Sequence, residues 1–225
     1  MTYLWDEFNI KTFPAETIIF RDGFYQHELS TLPPDLKISK KYDLPVHIVF
    51  IGEIAGKTDI NCEILVPNQQ VFLTAKINTK KPAFLNIFIK NTGKNSVFNG
   101  KILVQSYGQL EINEKAGHFA ENTGIFISNK VVAHSGSDTK LFGVVEIAPG
   151  CEQCDSDISF TALAAKDAKI QFSPNQRISV VPDSAAHSAS IWHANQAQTE
   201  YLRTAGMSGA EIKKVLEEAF TNDFI

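Results

Sequence analysis

Short apolar or alternating runs follow one another along most of the chain, and they predict a protein built mainly from β-strands. Between the runs lie pairs such as Asn99-Gly100, Tyr107-Gly108 and Pro149-Gly150, which supply the positive φ angles of tight turns. Regular short strands of this kind fit a sandwich, a barrel or a parallel β-helix, and periodicity alone favours none of the three. The predicted strands are Ile64 to Val66, Val71 to Leu73, Phe84 to Ile89, Ile102 to Val104, Leu110 to Ile112, Ile125 to Ile127, Leu141 to Ile147, Ile158 to Leu163, Ile170 to Phe172 and Ile178 to Val181.

The pattern divides the chain into three parts. Prolines at positions 14, 33, 34 and 45 interrupt it early, and only Thr17 to Phe20 and Val46 to Ile51 read as strands there. We expect residues 1–55 to form an N-terminal β cap or the start of the same sheet system, residues 56–190 the β core, and residues 191–225 a helical segment. Six phenylalanines are predicted to fill core layers: Phe84, Phe88, Phe126, Phe142, Phe160 and Phe172.

Two helices are predicted at the C-terminal end. In the first, Ala194, Ala197, Tyr201 and Leu202 recur at helical spacing, and Gly206 lies where a left-handed C-terminal cap would stop the helix. Ser208 stands three residues before Glu211, the spacing of a capping box that starts a second helix. The second helix carries one apolar stripe that needs a covering surface, made of Ile212, Val215, Leu216, Ala219 and Phe220.

Composition and charge argue against several classes of function. The net charge is -4 and the isoelectric point is near 5.9, which argues against a general nucleic-acid or anionic-membrane binder. No apolar run approaches the roughly 20 residues needed to cross a bilayer. Asp6 and Glu7 lie where a secretory signal would carry basic and then apolar residues, and the three cysteines do not resemble a secreted disulfide framework. We therefore expect a cytoplasmic protein.

One cysteine pair is a candidate metal site. Cys151 and Cys154 are separated by two residues, a spacing with which two thiolates can chelate one zinc or iron ion. The turn signal Pro149-Gly150 places the pair at a corner of the sheet system, where we expect it to be exposed. The alternative is that both are small apolar turn residues. The sequence has neither a phosphate-binding loop nor a Gly-x-Ser-x-Gly elbow, so we expect no catalytic activity of its own.

The C-terminal segment resembles the SufB/SufD family of iron–sulfur cluster assembly scaffolds, and it is most similar to the SufD branch. The family pattern is a His followed by a small residue, Ala and Thr or Ser, then a Tyr-Leu-Arg-Ser-like helix, a Gly turn and a helix ending near Ala-Phe. Ser96 to Ile102 also resembles the family's Phe-x-Gly-x-Ile turn. The matching residues are His187, Ala189, Ser190, Tyr201, Leu202, Arg203, Thr204, Gly206, Ala219 and Phe220.

This resemblance implies a right-handed parallel β-helix with a C-terminal two-helix appendage. It also implies an iron–sulfur assembly scaffold that works with a SufC-like ABC-type ATPase and with a SufB- or SufD-like subunit, or with a second copy of itself. His187 would lie at the subunit interface and take part in binding a transient iron–sulfur cluster or iron, because neutral imidazole can ligate iron. The alternative for His187 is an interface histidine held by hydrogen bonds alone.

The tail helices would bind the ATPase. The partner-binding residues implied by the resemblance are Tyr201, Leu202, Ile212, Val215, Leu216 and Phe220. Two other functions stay open: an interaction module that has lost cluster chemistry, and a carbohydrate-active β-helix enzyme.

The sequence departs from the family pattern at several positions. Trp192 replaces a usual Gly, Glu200 an apolar aromatic residue, and Ala205 a basic residue. Ala185 stands where the family often has Cys, and Ser188 where the SufB branch has a carboxylate. These differences predict a short or divergent member that does not build a cluster alone.

Overall fold

Two sheets wind around a common core in the computed structural model, which describes residues 14–222, and their strands are parallel except for one short antiparallel pair near the N-terminal end. From the second strand onward, successive strands alternate between the sheets, so that the chain forms a β-solenoid of about seven turns. This confirms the parallel β-helix among the three architectures left open by periodicity. The strands of the eight-stranded sheet are, in chain order, β1 (Glu16–Arg21), β2 (Phe24–Tyr25), β4 (Val46–Glu53), β6 (Gln70–Thr79), β8 (Val97–Ser106), β10 (Gly124–Ala133), β12 (Asp155–Ala164) and β14 (Ser184–His193). Those of the six-stranded sheet are β3 (Lys37–Ile38), β5 (Gly56–Ile64), β7 (Ala83–Asn91), β9 (Gln109–His118), β11 (Asp138–Ile147) and β13 (Lys169–Ile178).

Alternation of buried and partly exposed residues, strict in some strands, explains why these segments form strands. In β12, Ser156, Ile158 and Phe160 point into the core, while the residues between them point outward. Each core-facing side chain stacks on its counterpart one turn earlier and one turn later, as Ile102 does in β8. The core is therefore a column of apolar side chains along the solenoid axis.

An asparagine ladder marks the regular part of the solenoid. Asn68, Asn95 and Asn122 occur every 27 residues at the same corner, and each has a positive φ angle. The Asn95 amide nitrogen donates to Asn68 Oδ1 at 3.1 Å, and that of Asn122 donates to Asn95 Oδ1 at 2.8 Å. Asparagine tolerates this left-handed conformation better than most residues. The ladder fixes the register of three consecutive corners.

Several sequence predictions need correction. Ile178 ends β13, so the predicted strand from Ile178 to Val181 is wrong beyond its first residue. Phe84 and Phe88 lie on the outer face of β7 and are 40% and 42% exposed, and Phe126 and Phe142 also lie on the outer faces of their strands, whereas Phe160 is in the core as predicted. Register, which composition does not reveal, decides which face of a strand a residue occupies. Strand β14 was not predicted at all. The predicted strand from Ile64 to Val66 is likewise wrong beyond Ile64, which ends β5.

Both C-terminal helices are present, α1 at Gln196–Thr204 and α2 at Gly209–Thr221. Gly206 has a φ of +86° after α1, and Ser208 and Glu211 form the predicted capping box of α2. Asn195 and Gln198 form a second capping box at the start of α1, which the sequence analysis missed. No helix within residues 14–222 is both long and apolar enough to span a bilayer. The three-part division of the chain stays a prediction; residues 1–13 and 223–225, including Asp6 and Glu7, lie outside the described part.

Candidate functional site at the C-terminal end of the β-helix

The last turn of the solenoid, residues 169–193, leaves several of its core-facing side chains uncovered. We call it the open turn. Ala162 of β12 is fully buried, yet Ile191, its neighbour in register on β14, is 46% exposed. Ile147 of β11 is 1% exposed, and its neighbour Ile178 on β13 is also 46% exposed. Strands β13 and β14 are the terminal strands of their sheets, so this end combines an open apolar core with two strand edges.

His187 lies on β14, at a core-facing position of the open turn. It pairs in register with Ile158 of β12, which is completely buried, whereas His187 is exposed. Asp157 is close enough for the imidazole to lower the pKa of its carboxyl group, although desolvation and Asp155 raise that pKa by more. The imidazole therefore faces the region that a further turn, or another subunit, would occupy.

The cysteine pair lies at the corner before β12, but it is not exposed. Cys151 and Cys154 are both buried free cysteines, so the expectation of a reactive surface pair is wrong. Together with Ile147 they form a small apolar cluster, which packs against Val180 and Ala185 of the open turn. Burial raises the pKa of the Cys151 thiol, which keeps it protonated and unreactive near neutral pH.

A buried polar network surrounds Cys154. Its Sγ lies 3.3 Å from Thr123 Oγ1 and 3.4 Å from the carbonyl oxygen of Ala120. Thr123 Oγ1 in turn lies 2.8 Å from His118 Nδ1. Burial lowers the pKa of His118 to about 4, so this ring is neutral. Within residues 14–222, no three or more His, Cys, Asp or Glu side chains are grouped to hold a metal ion.

The corner that contains the cysteines also supports the open turn. The carbonyl oxygen of Cys154 accepts backbone hydrogen bonds from Asp183 at 3.0 Å and Ser184 at 3.4 Å, where β14 begins. Gln153 there has a positive φ of 55°. Cys151 and Cys154 therefore connect the penultimate turn to the strand that carries His187.

Helix α2 docks on the outer face of the eight-stranded sheet. Its Ile212 is buried, and Lys130 of β10 donates to the carbonyl oxygen of Phe220 at 2.8 Å while its ammonium lies 5.0 Å from the Phe220 ring centroid. Glu217 Oε1 is 3.5 Å from the buried His134 Nδ1. The apolar stripe predicted from the sequence therefore finds part of its covering surface within the chain itself.

The predicted partner-binding residues differ in what they leave accessible. Tyr201 on α1 is 73% exposed, and Leu202 is half-buried. On α2, Val215, Leu216 and Phe220 are half-buried, and only Ile212 is fully covered. A groove of about 200 Å³, lined in part by Leu163, Leu216 and Ala194, runs between α2 and the sheet.

Sequence reasoning missed the two isoleucines of the open turn. Ile178 and Ile191 become candidates only when their strands are seen to end the sheets. The alternation in Ser184–His193 is a weak signal for a strand, because small residues rather than β-branched ones fill most of it.

Comparison with known proteins identifies one family. The family model described as the SufBD core domain of the SUF system for FeS cluster assembly matches residues 69–220. The match covers more than half of the chain, from the start of β6 nearly to the end of α2. No curated protein matches the chain significantly.

Proposed function

The chain belongs to the SufBD core-domain family of the SUF iron–sulfur cluster assembly system, and we propose that it is a scaffold subunit that pairs through its open turn. It works in the cytoplasm and has no catalytic activity of its own. The family ties the chain to iron–sulfur cluster assembly. The choice of partner and the surface used are the proposed part.

The exposure of the open turn is the observation that carries this proposal. From β6 to β12, apolar side chains at core-facing positions are buried, whereas Ile178 and Ile191 are nearly half exposed. A subunit that covers them removes apolar surface from water, which contributes roughly 25 cal/mol per Å². The edges of β13 and β14 would add backbone hydrogen bonds to a strand of the same kind. The partner is therefore a SufB- or SufD-like subunit, or a second copy of this chain.

His187 would supply one ligand to a cluster or iron ion assembled between two subunits. Imidazole suits iron, and the position of His187 inside the pairing surface brings it next to groups of the partner. A single histidine leaves most coordination positions open, so the remaining ligands come from the other subunit. The cluster is the cargo of the assembly.

Cys151 and Cys154 are less suited to that role in this conformation. Both thiols would have to leave buried contacts and lose a proton before they could ligate a metal. We assign them to supporting β14 from beneath. The corresponding proposal is that metal binding depends on His187 and survives replacement of either cysteine by alanine.

The tail helices are the proposed docking surface for a SufC-like ATPase. Tyr201 and Leu202 on α1 and the accessible parts of Val215, Leu216 and Phe220 on α2 remain available after α2 has docked on the sheet. ATP hydrolysis in this partner would move the paired scaffold subunits and expose the cargo site. The chain itself contributes a docking surface and no nucleotide-binding loop.

Coexpression with the SufB-like and SufC-like proteins of the same organism tests the proposal. We expect a stable complex with wild type, and loss of the scaffold pairing with Ile191→Glu, because the new carboxylate would be buried in the interface. Phe84→Glu is the matched control, because Phe84 is exposed to a similar extent on a face away from the open turn. Two results would contradict the proposal. One is that the Ile191→Glu variant still pairs; the other is that the wild-type chain forms a complex neither with the SufB-like protein nor with a second copy of itself.

A second comparison separates the scaffold from an interaction module that has lost cluster chemistry. His187→Ala should leave pairing intact and reduce the iron and sulfide that copurify anaerobically with the complex. Absence of iron and sulfide from the wild-type complex would favour the interaction module, whereas equal amounts with wild type and His187→Ala would show that His187 is not a ligand. Tyr201→Ala should weaken ATPase binding without changing the pairing of the scaffold subunits.

A further inference from the structure

Glu114 places a carboxyl group inside the apolar column of the β-helix. It is a core-facing residue of β9 and is only 3% exposed. Its neighbours in register are Ile87 on β7 and Gly143 on β11. Asn129 on β10, also buried, faces it across the core. No feature of the pairing surface or of the tail helices requires an acid here.

The hydrogen bonds around this carboxyl group are incomplete for an anion. The Asn129 side-chain nitrogen donates to Glu114 Oε2 at 3.0 Å. Glu114 Oε1 and Asn129 Oδ1 are buried and, among the described residues, receive no hydrogen bond. A buried carboxylate normally collects two or three donors, and each missing one is costly. An ionised Glu114 would therefore leave two acceptor oxygens unpaired in the same place.

A proton on Glu114 resolves this mismatch. A protonated carboxyl group has one donor and one acceptor, and a primary amide offers the complementary pair. Glu114 can then donate to an oxygen acceptor while it accepts from Asn129. The absence of a side chain at Gly143 leaves no vacant space beside the Glu114 carboxyl group, because Ile158 fills it: a Cβ on Gly143 would lie 2.5 Å from Ile158 Cδ1.

No counter-charge competes with this proton in the described part of the chain. The adjacent core-facing residues are Ile112 and Ala116 on β9 and Phe160 on β12, all apolar. No described Lys, Arg or His forms an ion pair with Glu114, and no other charged group influences its titration. Burial raises the pKa of Glu114 to about 8, and the bond from Asn129 lowers it by a smaller amount.

We propose that Glu114 is an internal proton-binding site. Its carboxyl group takes up a proton when the β-helix folds, and this makes the stability of the core depend on pH. The folded chain carries a proton on this carboxyl group at neutral pH, paired with the Asn129 amide. In alkaline solution the proton is lost, a bare charge remains in the core, and the turn formed by β9 and β10 loosens.

The sign of the effect follows from proton linkage. The unfolded chain has the usual glutamate pKa of 4.5, below that of the folded chain, so the folded state binds more protons between these values. The contribution of Glu114 is fully favourable below about pH 4.5 and is lost as the pH rises toward about 8. Above this pH the loss is complete and constant.

Thermal and denaturant unfolding of the full chain between pH 4.5 and 9 tests this inference. Glu114→Gln keeps the shape and hydrogen-bonding capacity of the protonated acid but cannot ionise. We expect the ratio of the unfolding constants of wild type and Glu114→Gln to grow about tenfold per pH unit across most of this window, then to level off. Other titrating groups cancel in this ratio because both proteins contain them.

Glu111→Gln is the matched control, because Glu111 lies on the same strand with its side chain on the outer face. This variant should follow wild type at every pH. A pH-independent ratio for Glu114→Gln would overturn the proposal. So would stabilisation of wild type but not Glu114→Gln by added K⁺ or Mg²⁺ above pH 8, since a cation would then be the ligand of these oxygens.

Infrared difference spectroscopy gives a readout that does not depend on unfolding. Wild type at pH 7 should show the carbonyl stretch of a buried protonated carboxyl group, which should be missing in Glu114→Gln and present in Glu111→Gln. Absence of this band in wild type at pH 7 would overturn the proposal whatever the stability data.

Discussion

The middle turns of the solenoid, residues 56–164, differ from the open turn in closure, and most of them also differ in repetition. From β5 to β10 the strand register repeats every 27 residues, and asparagine and charged side chains pair at the same interval. From the pairs β9–β11 and β10–β12 onward, the interval lengthens to 29 or 31 residues. The core-facing side chains are buried throughout the middle turns, whereas those of the open turn range from half-buried, as Phe172 is, to exposed, as Ile191 is.

The middle turns and the open turn therefore have different roles: the middle turns supply stability, and the open turn supplies the proposed pairing surface. Repetition lets each middle turn bury its core against two neighbours, so stability accumulates as in other solenoids. The repeat lengthens at two corners, residues 134–137 and residues 148–154. The second corner contains Cys151 and Cys154 and leads into β12, and the carbonyl oxygen of Cys154 accepts hydrogen bonds from the start of the strand that carries His187. The open turn has only one neighbouring turn, and its accessible core is the surface proposed for pairing.

The largest expected effect is a difference between two isoleucine-to-alanine substitutions in how far each lowers the free energy of unfolding. Ile102 is fully buried on β8, and Ile102→Ala should lower the free energy of unfolding by about 2–5 kcal/mol. Ile191→Ala, at a core-facing position of the open turn, should cost less than about 1 kcal/mol in the isolated chain. Urea unfolding followed by circular dichroism measures both. Equal losses would show that the open turn is as closely packed as the middle turns.

The middle turns and the open turn also differ in how much of their structure could be predicted from the sequence. Alternating apolar residues predicted β6 to β12, although β5 was predicted only at Ile64, and Ser208 with Glu211 predicted the start of α2, because both signals are local. The 27-residue repeat is visible in Asn68, Asn95 and Asn122, but it is carried by too few residues to be found without the pairing. The resemblance to the family then selected the β-helix.

The remaining features depend on packing between distant residues. Phe84 and Phe88 read as core residues because they are apolar, but the register of β7 places them outside. Cys154 follows a turn signal that suggests exposure, yet the open turn covers it. His187 could be identified by resemblance, whereas its uncovered core-facing position depends on β14 being the last strand of its sheet.

Acid unfolding gives the next largest effect. Burial lowers the pKa of His47 from 6.5 to about 4, so the unfolded chain binds more protons between these pH values. Its contribution is present above about pH 6.5 and is lost as the pH falls toward 4, by up to about 3 kcal/mol. His47→Gln should flatten the stability profile in this window. An unchanged profile for His47→Gln in this window would contradict the prediction.

The asparagine ladder should be worth less than a core side chain. Asn95→Ala places Ala at a φ of 60° and removes the amide bonds to Asn68 and Asn122, at an expected cost of about 1–2 kcal/mol. Asn95→Gly keeps the backbone conformation accessible and should cost less. Gln153→Ala is the control near the open turn. Its φ is 55°, and among the described residues its side chain forms no hydrogen bond, so the change should be close to neutral.

The smallest effect is the order in which the buried cysteines become reactive. All three thiols are buried, and burial raises the pKa of Cys62 to about 12, so an alkylating reagent should modify none of them quickly in water. Cys62 lies in β5 among the middle turns, whereas Cys151 and Cys154 are covered in part by the open turn. A turn with one neighbour opens locally at lower free energy than one with two. At urea concentrations below the unfolding transition, mass spectrometry of alkylated peptides should therefore find Cys151 and Cys154 modified before Cys62. Simultaneous modification of all three thiols would mean that the solenoid unfolds as one unit. Binding of the partner subunit at the open turn should protect Cys151 and Cys154 from the reagent but not Cys62.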